Sequence, residues 1–83
     1  MTLSSNGLKL QQLLMEILLI EESEYRDENG PDEIGTWDSL AMVGIAAGVE
    51  KEFGYAMTPE EMVALGSIGD IKALLRQRKI SID

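Results

Sequence analysis

Apolar residues recur along this chain at the spacing of amphipathic helices. Between residues 10 and 18 they fall at positions i, i+3, i+4, i+7 and i+8. This pattern predicts a first helix from about Gly7 to Leu18. Ser4, Ser5 and Asn6 are the candidates for capping its start, since short polar side chains accept hydrogen bonds from first-turn amides.

A second apolar stretch predicts a helix from Ser39 to Phe53 or Gly54. Asp38 stands at the N-cap position, and Gly54 is a typical C-terminal stop. The stripe expected to face the core contains Leu40, Val43, Phe53 and either Ala46 or Ala47, with Met42, Ile45 and Val49 beside it.

Two shorter helices are predicted towards the end of the chain. Thr58 and Glu61 form a capping box around Pro59, which favours a short third helix that ends before Gly66. Ser67 is predicted to cap a fourth helix. Its buried stripe is expected to contain Ile68, Ile71, Leu74 and Leu75. No segment alternates with a period of two, so the sequence predicts an all-α bundle of three longer helices and one short helix.

The segment between the first two helices, residues 21–38, is acidic and lacks helical periodicity. It contains eight Asp or Glu residues against a lone arginine. Asn29-Gly30-Pro31-Asp32 is a turn signal. Loops of this length in small domains are usually functional or disordered. Tyr25, Ile34 and Trp37 are the apolar residues expected to attach this loop to the core.

Composition narrows the classes of function. With 83 residues, the chain is predicted to be a single domain spanning residues 1–83. Its net charge of −8 favours basic protein surfaces and disfavours nucleic acid and anionic lipid. The absence of His and Cys excludes histidine triads, thiolate nucleophiles, disulfides and zinc ribbons, and no metal site is expected. The chain starts without a basic secretion-signal region and has no bilayer-length apolar run, so a cytoplasmic protein without a membrane partner is expected.

The candidate chemistry lies at the start of the second helix. Ser39 follows Asp38 and a long acidic loop, so its hydroxyl is expected to be exposed. The free amides and the positive dipole end of a helix N-terminus suit a phosphate group. Asp and Ser are also ordinary capping residues. These two residues alone therefore do not separate a phosphate site from a simple helix cap.

A wider set of motifs separates these two interpretations. Asp38-Ser39-Leu40 resembles the Asp-Ser-Leu motif of acyl and peptidyl carrier proteins. Residues 49–54 resemble the acidic stretch that ends in Phe-Gly in that family, residues 57–61 the start of its short third helix, and residues 66–71 the lead into its fourth. Their spacing to Ser39 is that of a carrier protein, and the resemblance covers nearly the whole chain.

The resemblance implies a four-helix bundle of the acyl-carrier type. It implies that Ser39 bears a 4′-phosphopantetheine arm, taken from coenzyme A, whose thiol holds acyl or aminoacyl cargo as a thioester. Asp38 would present this serine to a phosphopantetheinyl transferase by capping the helix, and Leu40 by anchoring its first turn. The other expected partners are acyl- or aminoacyl-activating and condensing enzymes, visited by a monomer that is not itself an enzyme.

Two alternatives to a carrier are an enzyme with a catalytic serine and an adaptor without an arm. A catalytic serine needs a base within hydrogen-bond reach, and this chain offers Asp38 beside Ser39 but no histidine. No catalytic residue is therefore predicted. A carrier-like helical adaptor, which binds a partner without an arm, stays open, although the intact Asp-Ser-Leu motif argues against it.

The second helix departs from the usual family pattern. Fatty acid carriers usually have acids just after the serine, where this chain has Ala41 and Gly44, with Lys51 further along. This favours a specialised polyketide, nonribosomal peptide or modified fatty acid pathway. Gly44 and Gly48 form a small-residue face that serves either close helix packing or close approach of a partner. The candidates for contact with an acyl chain are Val43, Ile45, Met62, Ile68 and Ile71.

Overall fold

Four α-helices form between residues 5 and 82, the part of the chain that the computed structural model describes. They are α1 (Ser5–Leu18), α2 (Ser39–Phe53), α3 (Pro59–Ala64) and α4 (Ile68–Gln77), with a 3-10 turn at Glu22–Glu24 after α1. These residues contain no strand, which confirms the predicted all-α fold with a long loop between the first two helices. None of the helices within residues 5–82 has the length and apolarity needed to cross a membrane.

The helix ends follow the local signals closely. The Thr58 hydroxyl accepts a hydrogen bond from the Glu61 amide at 3.2 Å, and the Ser67 hydroxyl accepts one from the Asp70 amide at 3.1 Å, so both predicted caps are confirmed. α1 begins at Ser5, two residues before the predicted Gly7. The capping candidate Ser4 lies outside the described residues.

The core joins α1, α2 and α4. Its fully buried side chains are Leu10, Leu14 and Leu18 of α1, Ile45 and Val49 of α2, and Ile68, Ile71 and Leu75 of α4. Leu74, which was also expected to be buried, is only half-buried. Burying a Leu, Ile or Val side chain stabilises a fold by about 1.5–3 kcal/mol before entropic costs. These eight side chains therefore form the centre of the apolar core.

The predicted inward stripe of α2 is wrong in its rotation about the helix axis. Leu40 and Val43 are exposed, whereas Ala41, Ile45 and Val49 face the core. The first half of α2 is apolar on every side, so periodicity alone does not define its inner face. Trp37, which is buried just before the helix, extends the i, i+4 series of these three residues and shows which face the tertiary packing selects.

The small-residue face of α2 serves close packing against α1. A Cβ atom at Gly48 would lie 2.3 Å from Leu13 Cδ1, and one at Gly44 would lie 3.3 Å from the Ile17 side chain. Glycine at these positions allows the two helices to approach each other closely. The structure therefore favours helix packing over a partner's approach as the reason for this face, and a side chain added at Gly48 would displace Leu13.

The acidic loop is attached to the start of α4 through backbone contacts. The carbonyl of Asn29 accepts from the Ile68 amide, and that of Asp27 accepts from the Gly69 amide, both at 2.9 Å. These bonds satisfy first-turn donors that a helix leaves without intrahelical partners. Lys72 of α4 adds an ion pair of 2.6 Å to the Asp27 carboxylate. The middle of the loop is thus fixed to the first turns of α4.

Two tyrosines take part in contacts with α4: Tyr25 of the acidic loop near its start, and Tyr55 near its end. The Lys72 ammonium lies 5.2 Å from the centroid of the Tyr25 ring. Burial of Tyr25 raises the pKa of its hydroxyl to about 12, and the negative charge of Asp27 makes a smaller contribution in the same direction. Tyr55 donates a hydrogen bond to the Glu61 carboxylate, which also receives the Arg78 guanidinium at 2.7 Å. These two contacts and the Thr58 amide lower the pKa of Glu61 to about 2, so this link between α3 and the end of α4 stays charged at neutral pH.

Exchange of Gly30 for alanine tests the attachment of the loop. A Cβ atom there would lie 1.9 Å from the Gly66 carbonyl oxygen, a backbone atom that cannot rotate away, whereas one at Gly35 would meet nothing within 4 Å. We expect Gly30→Ala to lower the free energy of unfolding by about 1–3 kcal/mol or more. The control Gly35→Ala should leave it within about 0.5 kcal/mol or raise it slightly. Urea denaturation measures both, and equal midpoints for the two variants would contradict the described contact.

Candidate functional site

The segment that leads into α2 is held to the core by two apolar side chains. Ile34 and Trp37 are 3% and 4% exposed, and the Trp37 amide donates to the Ile34 carbonyl at 3.0 Å. Both residues were predicted to attach the loop, and the structure confirms this. Ser39 follows two residues after Trp37 as the first residue of α2, and it is exposed.

Asp38 is the N-cap of α2, as predicted. Its Oδ1 atom accepts a hydrogen bond from the Ala41 amide at 2.9 Å, and its carbonyl accepts from the Met42 amide at 3.0 Å. Because Asp38 performs the capping, the Ser39 hydroxyl is not needed for it. Within residues 5–82 the side chain of Ser39 makes no hydrogen bond, so the hydroxyl is available to another molecule.

The first turn of α2 also fits a phosphate group attached to that hydroxyl. The Ala41 amide is engaged by Asp38, but the amides of Ser39 and Leu40 have no acceptor among the described residues. Free amides at a helix N-terminus, together with the positive end of the dipole, stabilise phosphate oxygens. An exposed hydroxyl and two free amides on adjacent residues are thus compatible with a phosphodiester at Ser39.

The predicted role of Leu40 as an anchor of the first turn is wrong. Its side chain is 80% exposed and points away from the core, because the buried face of α2 begins at Ala41. The other residues predicted to contact an acyl chain lie in different parts of the structure. Val43 is exposed near Ser39, Met62 is half-buried, and Ile45, Ile68 and Ile71 are core residues. These five residues do not share one surface.

Sequence reasoning missed a groove beside Ser39. It has a volume of about 550 Å³ and lies between the end of α1 and the start of α2, where Ile17, Leu19, Thr36, Leu40 and Val43 contribute to its lining. The Thr36 hydroxyl donates a short hydrogen bond to the Leu18 carbonyl and fixes the end of α1 here. The one sequence feature that could have indicated this groove is Leu19, an apolar residue that follows the last position of the α1 stripe.

Comparison with known proteins shows the class of protein to which this helical bundle belongs. The family model described as "Phosphopantetheine attachment site" matches residues 9–75. An acyl carrier protein of Rhodococcus erythropolis is 34% identical over 70 residues, which make up 83% of this chain and 76% of that protein. Meromycolate extension acyl carrier proteins of Mycolicibacterium aurum and Mycolicibacterium smegmatis are each 31% identical over 68 residues, 82% of this chain and 70% and 69% of theirs.

The chain belongs to the acyl carrier protein family of phosphopantetheine-binding domains. This confirms the resemblance seen in the motifs around Ser39. The prosthetic group of this family is 4′-phosphopantetheine, and the matched range contains the whole of α2.

Separate substitutions of Asp38 and Ser39 test the division of roles at the helix start. Asp38→Ala removes the acceptor of the Ala41 amide, so we expect the free energy of unfolding to fall by about 1 kcal/mol. Ser39→Ala should change it by less than about 0.5 kcal/mol, because the hydroxyl makes no contact within the described fold. Urea denaturation at neutral pH measures both. A larger loss for Ser39→Ala than for Asp38→Ala would contradict the assignment of the cap.

Proposed function

We propose that this chain is an acyl carrier whose phosphopantetheine arm is attached to the Ser39 hydroxyl. The observation that carries the proposal is the exposure of this hydroxyl at the first position of α2, free of capping, within the range that the family model matches. The unit that carries the arm is the single domain of residues 1–83, and it acts as a monomer.

Each neighbour of Ser39 has a role in this function. Burial of Ile34 and Trp37 fixes the chain before the serine, and Asp38 holds the first turn of α2 in helical geometry. The amides of Ser39 and Leu40 stabilise the negative charge of the phosphodiester. The arm supplies a thiol that holds cargo as a thioester.

The chain does not catalyse these reactions. It has no histidine, and the Asp38 carboxylate already accepts a backbone hydrogen bond, so no base is in place to activate Ser39. The catalytic groups therefore come from its partners, which are a phosphopantetheinyl transferase and the activating and condensing enzymes of a pathway.

Acyl cargo is favoured over aminoacyl cargo. The relatives described above are named acyl carrier proteins, and two of them are named for meromycolate extension. The exposed first half of α2 supports a specialised pathway, since it presents Leu40 and Val43 and no acid up to Glu50. Among the specialised pathways, a modified fatty acid pathway agrees best with these relatives.

Intact-mass measurement tests the attachment. The chain is incubated with coenzyme A and a broad-specificity phosphopantetheinyl transferase, and we expect a gain of one phosphopantetheine per chain. Ser39→Ala should gain nothing, because the acceptor oxygen is missing. Ser23→Ala is the matched control, since Ser23 is also exposed but lies in the 3-10 turn, and this variant should be modified like the native chain.

Two results would contradict the proposal. Modification of Ser39→Ala would place the arm on another residue. No modification of the folded native chain, under conditions in which an established carrier protein is fully modified, would favour the armless adaptor.

A further inference from the structure

A second groove continues from the one beside Ser39. It has a volume of about 480 Å³ and lies between α1 and α2, and it shares Ile17 and Gly44 of its lining with the groove beside Ser39. From these shared residues it follows the two helices as far as Lys9 of α1 and Lys51 of α2. The two cavities therefore form one continuous surface, which we term the α1–α2 groove.

The part of this groove beyond Gly44 combines apolar side chains with balanced charges. Leu13 and Ile17, both half-buried, contribute its apolar lining together with the small residues of α2. Its charged lining consists of two lysines and two glutamates, Lys9, Lys51, Glu16 and Glu52. Their charges sum to zero in a chain whose net charge is −8, and none of the four forms an ion pair within residues 5–82. This part therefore suits a ligand that has apolar and polar segments but no net charge.

The chemistry of the phosphopantetheine arm matches this lining. Beyond its phosphate the arm consists of a dimethyl-substituted segment, a hydroxyl and two amides, and it is uncharged as far as its thiol. The amides need both donors and acceptors, which Gln12 and the charged side chains of the groove supply. The one anionic part, the phosphate, would lie at the free amides of Ser39 and Leu40. The order of groups along the arm thus follows the order of surfaces along the groove.

The length of the arm also matches that of the groove. Lys51 lies about 18 Å beyond Ser39 along the axis of α2, at 1.5 Å per residue. The arm has about fourteen bonds between the serine oxygen and its sulfur, and at about 3.5 Å for every three backbone bonds it extends over roughly 16 Å. An arm that starts at Ser39 and follows the groove therefore brings its thiol close to Lys51.

We propose that the α1–α2 groove is a resting site for the phosphopantetheine arm, which lies along α1 and α2 with its thiol near Lys51. This inference rests on the proposed function. The arm is favoured over a partner protein as the occupant because it is tethered at the mouth of the groove, so its effective concentration there is on the order of millimolar. The five residues predicted to contact an acyl chain share no surface, whereas this groove is continuous with the attachment site.

The reactivity of the arm's thiol tests the proposal. Because the chain has no cysteine, this thiol is the only one in the loaded protein. Its rate of alkylation by iodoacetamide, a neutral reagent, is compared with that of free 4′-phosphopantetheine at the same pH. An arm in the groove reacts only during the fraction of time that it spends outside. We therefore expect the loaded native chain to react at least about threefold more slowly.

A variant that fills the groove should release the arm. Ala47 is exposed and lines the groove, so Ala47→Phe places an aromatic ring where the arm would lie, and its thiol should react at the rate of free phosphopantetheine. Ala73→Phe is the matched control, since Ala73 is also exposed on a helix but does not line the groove, and this variant should react as slowly as the native chain. Both variants keep the charge of the native chain.

Nuclear magnetic resonance of the native chain gives an independent measurement that needs no variant. Attachment of the arm should shift the backbone amide signals of Leu13 and Gly48, which line the groove far from Ser39. The amide of Val63 in α3, which does not line the groove, should keep its position. Shifts at Leu13, in a different helix from the attachment residue, report contact with the arm along the groove.

The outcomes distinguish this inference from the proposed function. Loading at Ser39 with a thiol that reacts as fast as free phosphopantetheine would overturn the resting site and leave the carrier function intact. A slow thiol that Ala47→Phe does not accelerate, with shifts at Val63 instead of Leu13, would locate the arm elsewhere and also overturn it. Absence of any loading at Ser39 would overturn both proposals together.

Discussion

The burial of the Trp37 indole determines what α2 presents to its surroundings. An aromatic side chain of this kind removes about 150–250 Å² from water, which at about 25 cal/mol per Å² is on the order of 4 kcal/mol. Its Nε1 atom has no hydrogen-bond partner among residues 5–82, a deficit of about 1–3 kcal/mol. The apolar gain is larger, so the ring stays inside. With Trp37 fixed, Ala41, Ile45 and Val49 follow it into the core at i, i+4 spacing.

The exposure of Ser39 is a consequence of this arrangement. Trp37 points inward, Asp38 turns its carboxylate onto the Ala41 amide, and the next side chain lies outside the core. The same rotation of α2 exposes Leu40 and Val43, which would have been buried had the helix packed on its larger aliphatic residues. The domain thus leaves apolar side chains unburied in the first two turns of α2. On another face of α2, Gly44 and Gly48 allow the helix to approach α1 closely.

Features encoded by neighbouring residues were predicted from the sequence with good accuracy. The caps at Asp38, Thr58 and Ser67 were found because each hydrogen bond joins residues three apart. The family followed from ordered motifs around Ser39. Helix rotation was mispredicted because the first half of α2 is apolar all round, so only tertiary contacts select its inner face.

Contacts between segments that are distant in the chain could not be predicted from the sequence. The approach of Gly30 to Gly66 and the placement of Leu19 beside Leu40 join residues more than twenty positions apart, and no local pattern records them. The positive φ of Leu19 was hidden for a related reason. Leucine favours the right-handed helical conformation. Only the geometry at the end of α1 imposes a positive φ angle on Leu19, and the residue type does not indicate it.

Fluorescence of the single tryptophan tests the central claim most directly, because Trp37 reports on the segment that positions Ser39. The account predicts a blue-shifted emission that is protected from acrylamide in the bare chain and unchanged once phosphopantetheine is attached. A solvent-exposed indole in the bare chain, or one that becomes exposed on attachment, would contradict the claim that a prebuilt, core-anchored junction presents the serine.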